Sequence, residues 1–140
     1  MEVNHYSVEN MKQIILASTS PRRQELLENL GLVFQIIAPN YNEDILNKAF
    51  SYNLIESLAE NKGLSILDKI KAPAIVISAD TVVVYNNVIL GKPKDFDDAF
   101  KMLSMLNGKT HNVVTSICII NNENNKRIIK SETSEVTFNK

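Results

Sequence analysis

The amino-acid sequence predicts a single domain of the mixed α/β class. Apolar runs that are typical of buried strands alternate with segments of helical spacing, in the order β-α-β-α-β-β-α-β-β. The chain has 140 residues, which suffice for one compact core but not for two ordinary domains. Hydrophobic residues make up 44% and charged residues 22%, and these proportions are typical of a globular protein.

The first strand leads directly into the first helix. The run QIILAS at 13–18 is continuously apolar, as in a strand that is covered on both faces. The next segment, SPRRQELLENLG, has helix signals at both ends, because Ser20 can cap it, Pro21 suits its first position and Gly31 can end it.

Similar signals predict the other elements. Apolar side chains recur at helical spacing over 50–70, where Gly63 should weaken the helix by up to about 1 kcal/mol. Asp95 and Gly108 are suited to the two ends of a third helix. The predicted strands are VFQIIA at 33–38, AIVIS at 74–78, a hairpin at 81–90 that turns at Asn86-Asn87, and two long strands at 111–120 and 127–138.

Charge and cysteine content exclude several classes of function. The net charge of −1 gives no overall field that would attract nucleic acid or a membrane surface. The single cysteine, Cys118, cannot form an internal disulfide, and its apolar neighbours predict a buried thiol. No apolar signal core or membrane-length run is present, so we predict a cytoplasmic protein. Residues 1–10 are interpreted as an N-terminal arm or as the product of a start site set too early.

The first helix is the best candidate for an anion site. The four glycines are too far apart for a glycine-rich phosphate loop. The N–H groups at the start of a helix favour anions, and Arg22 and Arg23 add guanidinium groups that match phosphate oxygens. The alternative is a pair of solvated arginines, but cations are slightly unfavourable at this end of a helix, which suggests another role for them.

Asp80 is the strongest candidate among the acidic residues. It follows the apolar strand AIVIS, and open α/β folds build their sites at the carboxyl ends of strands. The alternative, an aspartate that only ends the strand and caps a turn, is equally compatible with the sequence. Glu43, Lys62 and His111 are further polar candidates, although no zinc-ligand spacing or serine-hydrolase motif accompanies them.

Five stretches together resemble the Maf family, the nucleotide pyrophosphatases related to septum formation inhibitors. In chain order they are LASTSPRRQELL at 16–27, LAENK at 58–62, ISADTVV at 77–83, LGKP at 90–93 and ML..LNGKTHNVVT at 102–115. The resemblance implies a fold like that of the inosine-triphosphate pyrophosphatases, with an elongated mixed sheet, flanking helices and two lobes around a cleft. It assigns residues 11–140 to this domain.

The resemblance also implies a reaction and a set of site residues. Nucleoside triphosphate and water would give monophosphate and pyrophosphate, a reaction suited to removing unwanted nucleotides from the pool. Asp80 would be the general base, and Glu43 with Asp80 would help to hold a divalent cation, Mg²⁺ or Mn²⁺. Five positively charged or hydroxyl side chains would bind the substrate phosphates, namely Ser18, Arg22, Arg23, Lys62 and Lys92.

Two positions indicate a branch of the family. Arg22 and Thr81 resemble the branch that prefers dTTP, UTP and modified pyrimidine nucleotides, whereas the sister branch has an aromatic residue and a glutamine there. The resemblance further implies that the family domain continues beyond residue 140 and that its last part completes the second lobe. We therefore expect the second lobe to be incomplete and the activity of this 140-residue form to be reduced.

Two other classes of function are compatible with the sequence. The family's historical name refers to cell division, so a regulator that acts by binding a partner is one alternative. A truncated relative that binds nucleotide with little catalysis is the other. Homodimer formation is left open.

Overall fold

A computed structural model describes residues 12–43, 45, 48–91 and 95–139 of the chain. These residues form a mixed sheet flanked by helices, which confirms the predicted α/β class. The elements are β1 (Gln13–Leu16), α1 (Pro21–Asn29), β2 (Gln35–Ile36), α2 (Tyr52–Leu64), a 3-10 helix (Leu67–Lys69), β3 (Ala74–Tyr85), β4 (Val88–Leu90), α3 (Phe96–Leu106), β5 (Thr110–Asn121) and β6 (Arg127–Thr137). The proposed arm at 1–10 lies outside the described residues.

The sheet changes from parallel to antiparallel at β3. Its order is β2-β1-β3-β5-β6, with β4 paired to the far half of β3. Strand β1 runs parallel to β2 and β3, while β3, β5 and β6 pair antiparallel. Because β1 pairs with β3 only as far as Ile77 and β4 pairs with it only from Val83 onward, residues 78–82 of β3 have no ladder partner on that side among the described residues.

Helix α2 covers one face of the sheet and builds the core with it. Ile55, Leu58 and Ala59 of the helix are buried. They pack against alternate residues of the strands, because successive side chains of a strand point to opposite faces. The buried strand residues include Val76, Val82 and Val84 of β3 with Val114, Cys118 and Ile120 of β5. The predicted burial of Cys118 is confirmed.

The helix and turn signals in the sequence predicted the local structure well. Ser20 caps α1 by accepting a hydrogen bond from the Arg23 backbone N–H, and Asp95 caps α3 in the same way. Asn86 and Asn87 adopt positive φ angles of 52° and 64°, as the hairpin requires. Within the described residues, no helix is long and apolar enough to span a membrane.

Strand β3 differs from the prediction. The sequence favoured a strand that stops before Asp80, but β3 runs without interruption through this residue to Tyr85. The antiparallel partner β5 continues the ladder, with Asp80 opposite Ser116. Asp80 is therefore not at the end of its own strand. The candidate site lies instead beyond the end of β1, where Asp80 lines a pocket.

Gly63 has a packing role that the sequence did not indicate. A Cβ atom at this position would lie 2.8 Å from Ser78 Oγ and 2.9 Å from Ile120 Cδ1. Helix α2 therefore approaches the sheet too closely for alanine at this point. The same glycine that is expected to weaken the helix thus allows α2 to lie close to strands β3 and β5.

Candidate active site

Asp80 and Lys62 form an ion pair between β3 and α2. Lys62 Nζ donates to Asp80 Oδ1 at 3.0 Å, and the two side chains are 25% and 18% exposed. Oδ1 also accepts the backbone N–H of Thr81 at 3.0 Å. The second oxygen, Oδ2, has no hydrogen-bond partner among the described residues. One oxygen of the carboxylate is thus fixed by the protein and the other is available to a ligand.

Arg23 reaches the same region from the first turn of α1. Its Nη2 donates to Thr81 Oγ1 at 3.1 Å, and Thr81 Oγ1 lies 3.0 Å from Thr115 Oγ1. Burial lowers the pKa of the Arg23 guanidinium, while the negative charge of Asp80 opposes this effect. Arginine nevertheless remains protonated at neutral pH. Arg23 is therefore a fixed positive charge beside Thr81.

A polar pocket of about 440 Å³ lies between the end of β1 and the start of α1. Ser18 is buried at its floor, and its Oγ accepts the backbone N–H of Ser20 at 3.0 Å. The Ser18 hydroxyl proton thus remains available to an acceptor. The lining residues are Ala17, Ser18, Thr19, Ser20, Pro21, Arg23, Pro39, Lys62, Ala79, Asp80 and Thr81.

A second pocket of about 560 Å³ adjoins the first one. The two pockets share Lys62, Asp80 and Thr81, so this trio forms the boundary between them. The second pocket is largely apolar, with Ile45, Leu58, Val82, Val83, Ile89, Leu90 and Met102 in its lining. Glu43 also lines it and accepts a hydrogen bond of 3.0 Å from the Tyr41 hydroxyl.

The two carboxylates fit a site for a hard divalent cation. Among the described residues, no group of three or more histidine, cysteine, aspartate or glutamate side chains is arranged to hold a metal ion. Mg²⁺ commonly takes only one or two protein carboxylates and completes its shell with waters and substrate phosphates. Glu43 and Asp80 are the carboxylates among the described residues that line the second pocket, and this donor set suits that mode of binding.

Two of the candidate residues that the structure describes are not part of this cluster. Arg22 lines a separate surface depression with Glu25, Leu26 and Asn29. His111 is 6% exposed and packs edge-on against Phe138, with its ring 4.9 Å away. Lys92 lies outside the described residues. The predicted roles of Arg22 and Lys92 in phosphate binding therefore stay predictions.

Thr115 contacts Thr81 at the boundary of the two pockets, and the sequence did not single it out. It lies opposite Thr81 in the β3–β5 ladder. It is also the last residue of the motif at 102–115, but the motif alone assigns it no contact. The sequence predicted the strands that carry both threonines. It did not show that Thr81 and Thr115 lie opposite each other. The register between those strands was missing.

Comparisons with known proteins agree with this fold. The sequence model for the family described as "Maf-like protein" matches residues 13–140. A dTTP/UTP pyrophosphatase of Alkaliphilus oremlandii (strain OhILAs) is 43% identical over 129 residues, which are 92% of this chain and 67% of the relative. A dTTP/UTP pyrophosphatase of Desulforamulus reducens is 42% identical over 128 residues, 91% of this chain and 66% of the relative.

A solved structure shows the same fold at low sequence identity. The Ham1 protein of Staphylococcus aureus superposes with a TM-score of 0.58 at 16% identity, over 89% of this chain and 70% of that one. The chain spans about two thirds of the length of the curated relatives it matches. Because the family model covers nearly all of the sequence and the relatives exceed 40% identity, the chain belongs to the Maf-like protein family.

Proposed function

We propose that the protein hydrolyses pyrimidine nucleoside triphosphates, namely dTTP, UTP and their modified relatives, to the monophosphate and pyrophosphate. One observation carries this proposal: Lys62, Asp80 and Thr81 separate a polar, cationic pocket from a largely apolar one. A nucleoside triphosphate has the same division into an anionic chain and a less polar nucleoside. The relatives are dTTP/UTP pyrophosphatases by name, which supports the choice of substrate.

The polar pocket is suited to the phosphate chain. Arg23 and Lys62 supply two positive charges, and Ser18 supplies a hydroxyl donor at its floor. Charge-assisted hydrogen bonds to phosphate oxygens are about twice as strong as neutral ones. Negative charge spreads over the phosphoryl oxygens in the transition state, so fixed cations there lower the barrier as well as bind the substrate.

The apolar pocket is suited to the nucleoside. Val82 and Ile89 are buried in its wall, which excludes water from one side of a bound base. In this arrangement the α-phosphorus lies near the boundary residues. The bond to be broken then lies beside Asp80.

Asp80 is suited to accept the proton of the attacking water. Lys62 and the Thr81 N–H hold Oδ1, which leaves Oδ2 to take the proton as water attacks the α-phosphorus. The new P–O bond forms as the bond from the α-phosphorus to the bridging oxygen breaks. Pyrophosphate leaves with that oxygen, and Lys62 and Arg23 are placed to balance its charge.

Glu43 and Asp80 would hold a divalent cation, with Mg²⁺ or Mn²⁺ as the candidates. When bound, such a cation would neutralise phosphate charge and polarise the phosphoryl oxygens. We also propose the cytoplasm as the site of action, because the nucleotide pool lies there.

The test is the identity of the products and the position of the new oxygen. The purified chain is incubated with dTTP, UTP, dATP and dGTP in ¹⁸O-enriched water with MgCl₂. We expect faster turnover of the two pyrimidine nucleotides, unlabelled pyrophosphate and one ¹⁸O atom in the monophosphate. Formation of diphosphate and orthophosphate, or label in the pyrophosphate, would contradict the proposal.

A further inference from the structure

We propose that Thr115 is a positioning residue, which holds the Thr81 hydroxyl and, through it, the Arg23 guanidinium for binding of the substrate's phosphate chain. This inference rests on the proposed function and assigns one more residue to the same site. Thr115 does not line either of the pockets that meet at Asp80. It therefore acts through Thr81 and not by touching the substrate.

The geometry links three side chains from three elements. Arg23 on α1 donates to Thr81 on β3 at 3.1 Å, and Thr81 is 3.0 Å from Thr115 on β5. Thr81 and Thr115 are direct partners in the antiparallel ladder, so the strand pairing fixes their separation. Thr81 is exposed, whereas Thr115 is half-buried between its neighbours. The less exposed hydroxyl thus supports the more accessible one.

The two threonine hydroxyls of this trio have one donor left over. A guanidinium can only donate, so Thr81 Oγ1 accepts from Arg23. The two threonine hydroxyls have two protons, and their mutual bond uses one of them. If Thr115 donates that bond, the Thr81 proton has no acceptor among the described residues and is available to a ligand.

Phosphate is the ligand chemistry that fits this donor. Thr81, Arg23 and Ser18 all line the polar pocket, and together they offer hydroxyl and guanidinium donors. Without the Thr115 hydroxyl, the Thr81 side chain loses the partner that selects its orientation. The Arg23 guanidinium is then held less firmly by Thr81, and we expect the phosphate chain to bind more weakly.

The chain offers a matched control for the experiment. Thr110 and Thr137 also form a hydroxyl pair across neighbouring strands, at 2.7 Å, and neither lines the two pockets. Thr115→Val and Thr110→Val remove the same group from the same strand, β5, and both keep a β-branched side chain. Thr115→Ser restores the hydroxyl without the methyl group.

Binding of inorganic tripolyphosphate is measured by calorimetry, and kcat and KM are measured with dTTP. Loss of one hydrogen bond predicts a tripolyphosphate Kd and a dTTP KM that are about five- to tenfold higher in Thr115→Val, with a smaller change in kcat. Thr115→Ser and Thr110→Val should stay within about twofold of the parent. In an Arg23→Ala background, Thr115→Val should cost less than it does in the parent, because the part of its effect that passes through Arg23 is already gone.

Each alternative outcome is decisive. Parent-like binding by Thr115→Val, an equal loss in Thr110→Val, failure of Thr115→Ser to restore binding, or a full additional loss in the Arg23→Ala background would overturn the inference. A parent chain that does not bind tripolyphosphate would overturn it as well. A parent chain that binds tripolyphosphate but does not hydrolyse dTTP would contradict the proposed function, and the binding comparison would still decide the role of Thr115.

Discussion

Among single residues, Gly63 shows how a packing contact can outweigh helix propensity. Alanine is the better helix former by about 1 kcal/mol. However, a Cβ at this position would lie 2.8 Å from Ser78 Oγ. Ser78 is fully buried and donates to the Ala59 carbonyl oxygen at 2.6 Å, so it has little freedom to move away.

We therefore expect Gly63→Ala to lower the free energy of unfolding by up to about 2 kcal/mol, the cost of overpacking less the gain in helix propensity. Urea unfolding of the purified chain measures this change. Ser78→Ala removes the nearest atom, so the double variant should lose less stability than the sum of the two single variants. A more stable Gly63→Ala chain would show that the helix can shift away from the sheet.

Cys118 gives a prediction about pH. Burial raises the pKa of its thiol, and the negative charge of Glu60 adds to this effect. The thiol therefore ionises at lower pH in the unfolded chain than in the folded one. Above about pH 8.5 the folded chain holds more protons than the unfolded chain, so stability falls as the pH rises.

The measurement compares the parent with Cys118→Ala under reducing conditions. Between pH 7 and pH 9.5, the free energy of unfolding should fall more in the parent than in the variant. The other titrating groups are common to both chains and cancel in the difference. An identical pH dependence in the two chains would mean that the thiol ionises equally in the folded and unfolded states.

At the scale of elements, helix α1 directs two neighbouring arginines to different places. Arg23 contacts Thr81, whereas Arg22 lines a depression on the outer side of the helix. Arg23→Ala should weaken tripolyphosphate binding about tenfold, because it removes a charge-assisted bond. Arg22→Ala removes the same charge from the same turn and should change this binding by no more than about twofold.

Calorimetric titration of both variants with tripolyphosphate tests this difference. The probe has no base, so the result does not depend on any role of Arg22 in base preference. Equal losses in the two variants would contradict this expectation and would support the phosphate-binding role that the resemblance implies for Arg22.

The sequence predicted most elements because their signals are local. Caps at Ser20 and Asp95 and the turn at Asn86-Asn87 depend on residues within one turn of each other, and the structure confirms them. The extent of β3 was predicted wrongly, because its continuation through Asp80 depends on pairing with β5. Thr115 was missed for the same reason, because the sequence does not show the register between β3 and β5. The need for Gly63 was missed because the contact between α2 and the sheet joins residues that are far apart in the sequence.

At the scale of the whole molecule, one face of the sheet is apolar and open. The face opposite α2 carries Ile117 and Ile119 on β5 and Ile128 on β6, which are 44%, 37% and 59% exposed. The ladder places Ile119 directly opposite Ile128, so these side chains are contiguous. Contiguous exposed apolar surface promotes association between molecules.

We expect the 140-residue chain to bind an apolar dye such as ANS and to self-associate as its concentration rises. Light scattering after size exclusion measures the association. Replacing Ile117 and Ile119 by threonine keeps the β propensity of the strand and should reduce both effects. A monomer at all concentrations with no dye binding would contradict this expectation.

The proposed hydrolysis depends on Asp80 as the group that activates water. Asp80→Asn keeps the shape of the side chain and removes its charge, while Asp68→Asn makes the same change at an exposed position outside the two pockets. The direct measurement is the rate of pyrophosphate release from saturating dTTP with Mg²⁺. We predict a loss of at least about a hundredfold for Asp80→Asn, the range expected on removal of a general base, and parent-like turnover for Asp68→Asn. Parent-like turnover by a folded Asp80→Asn chain would contradict the account.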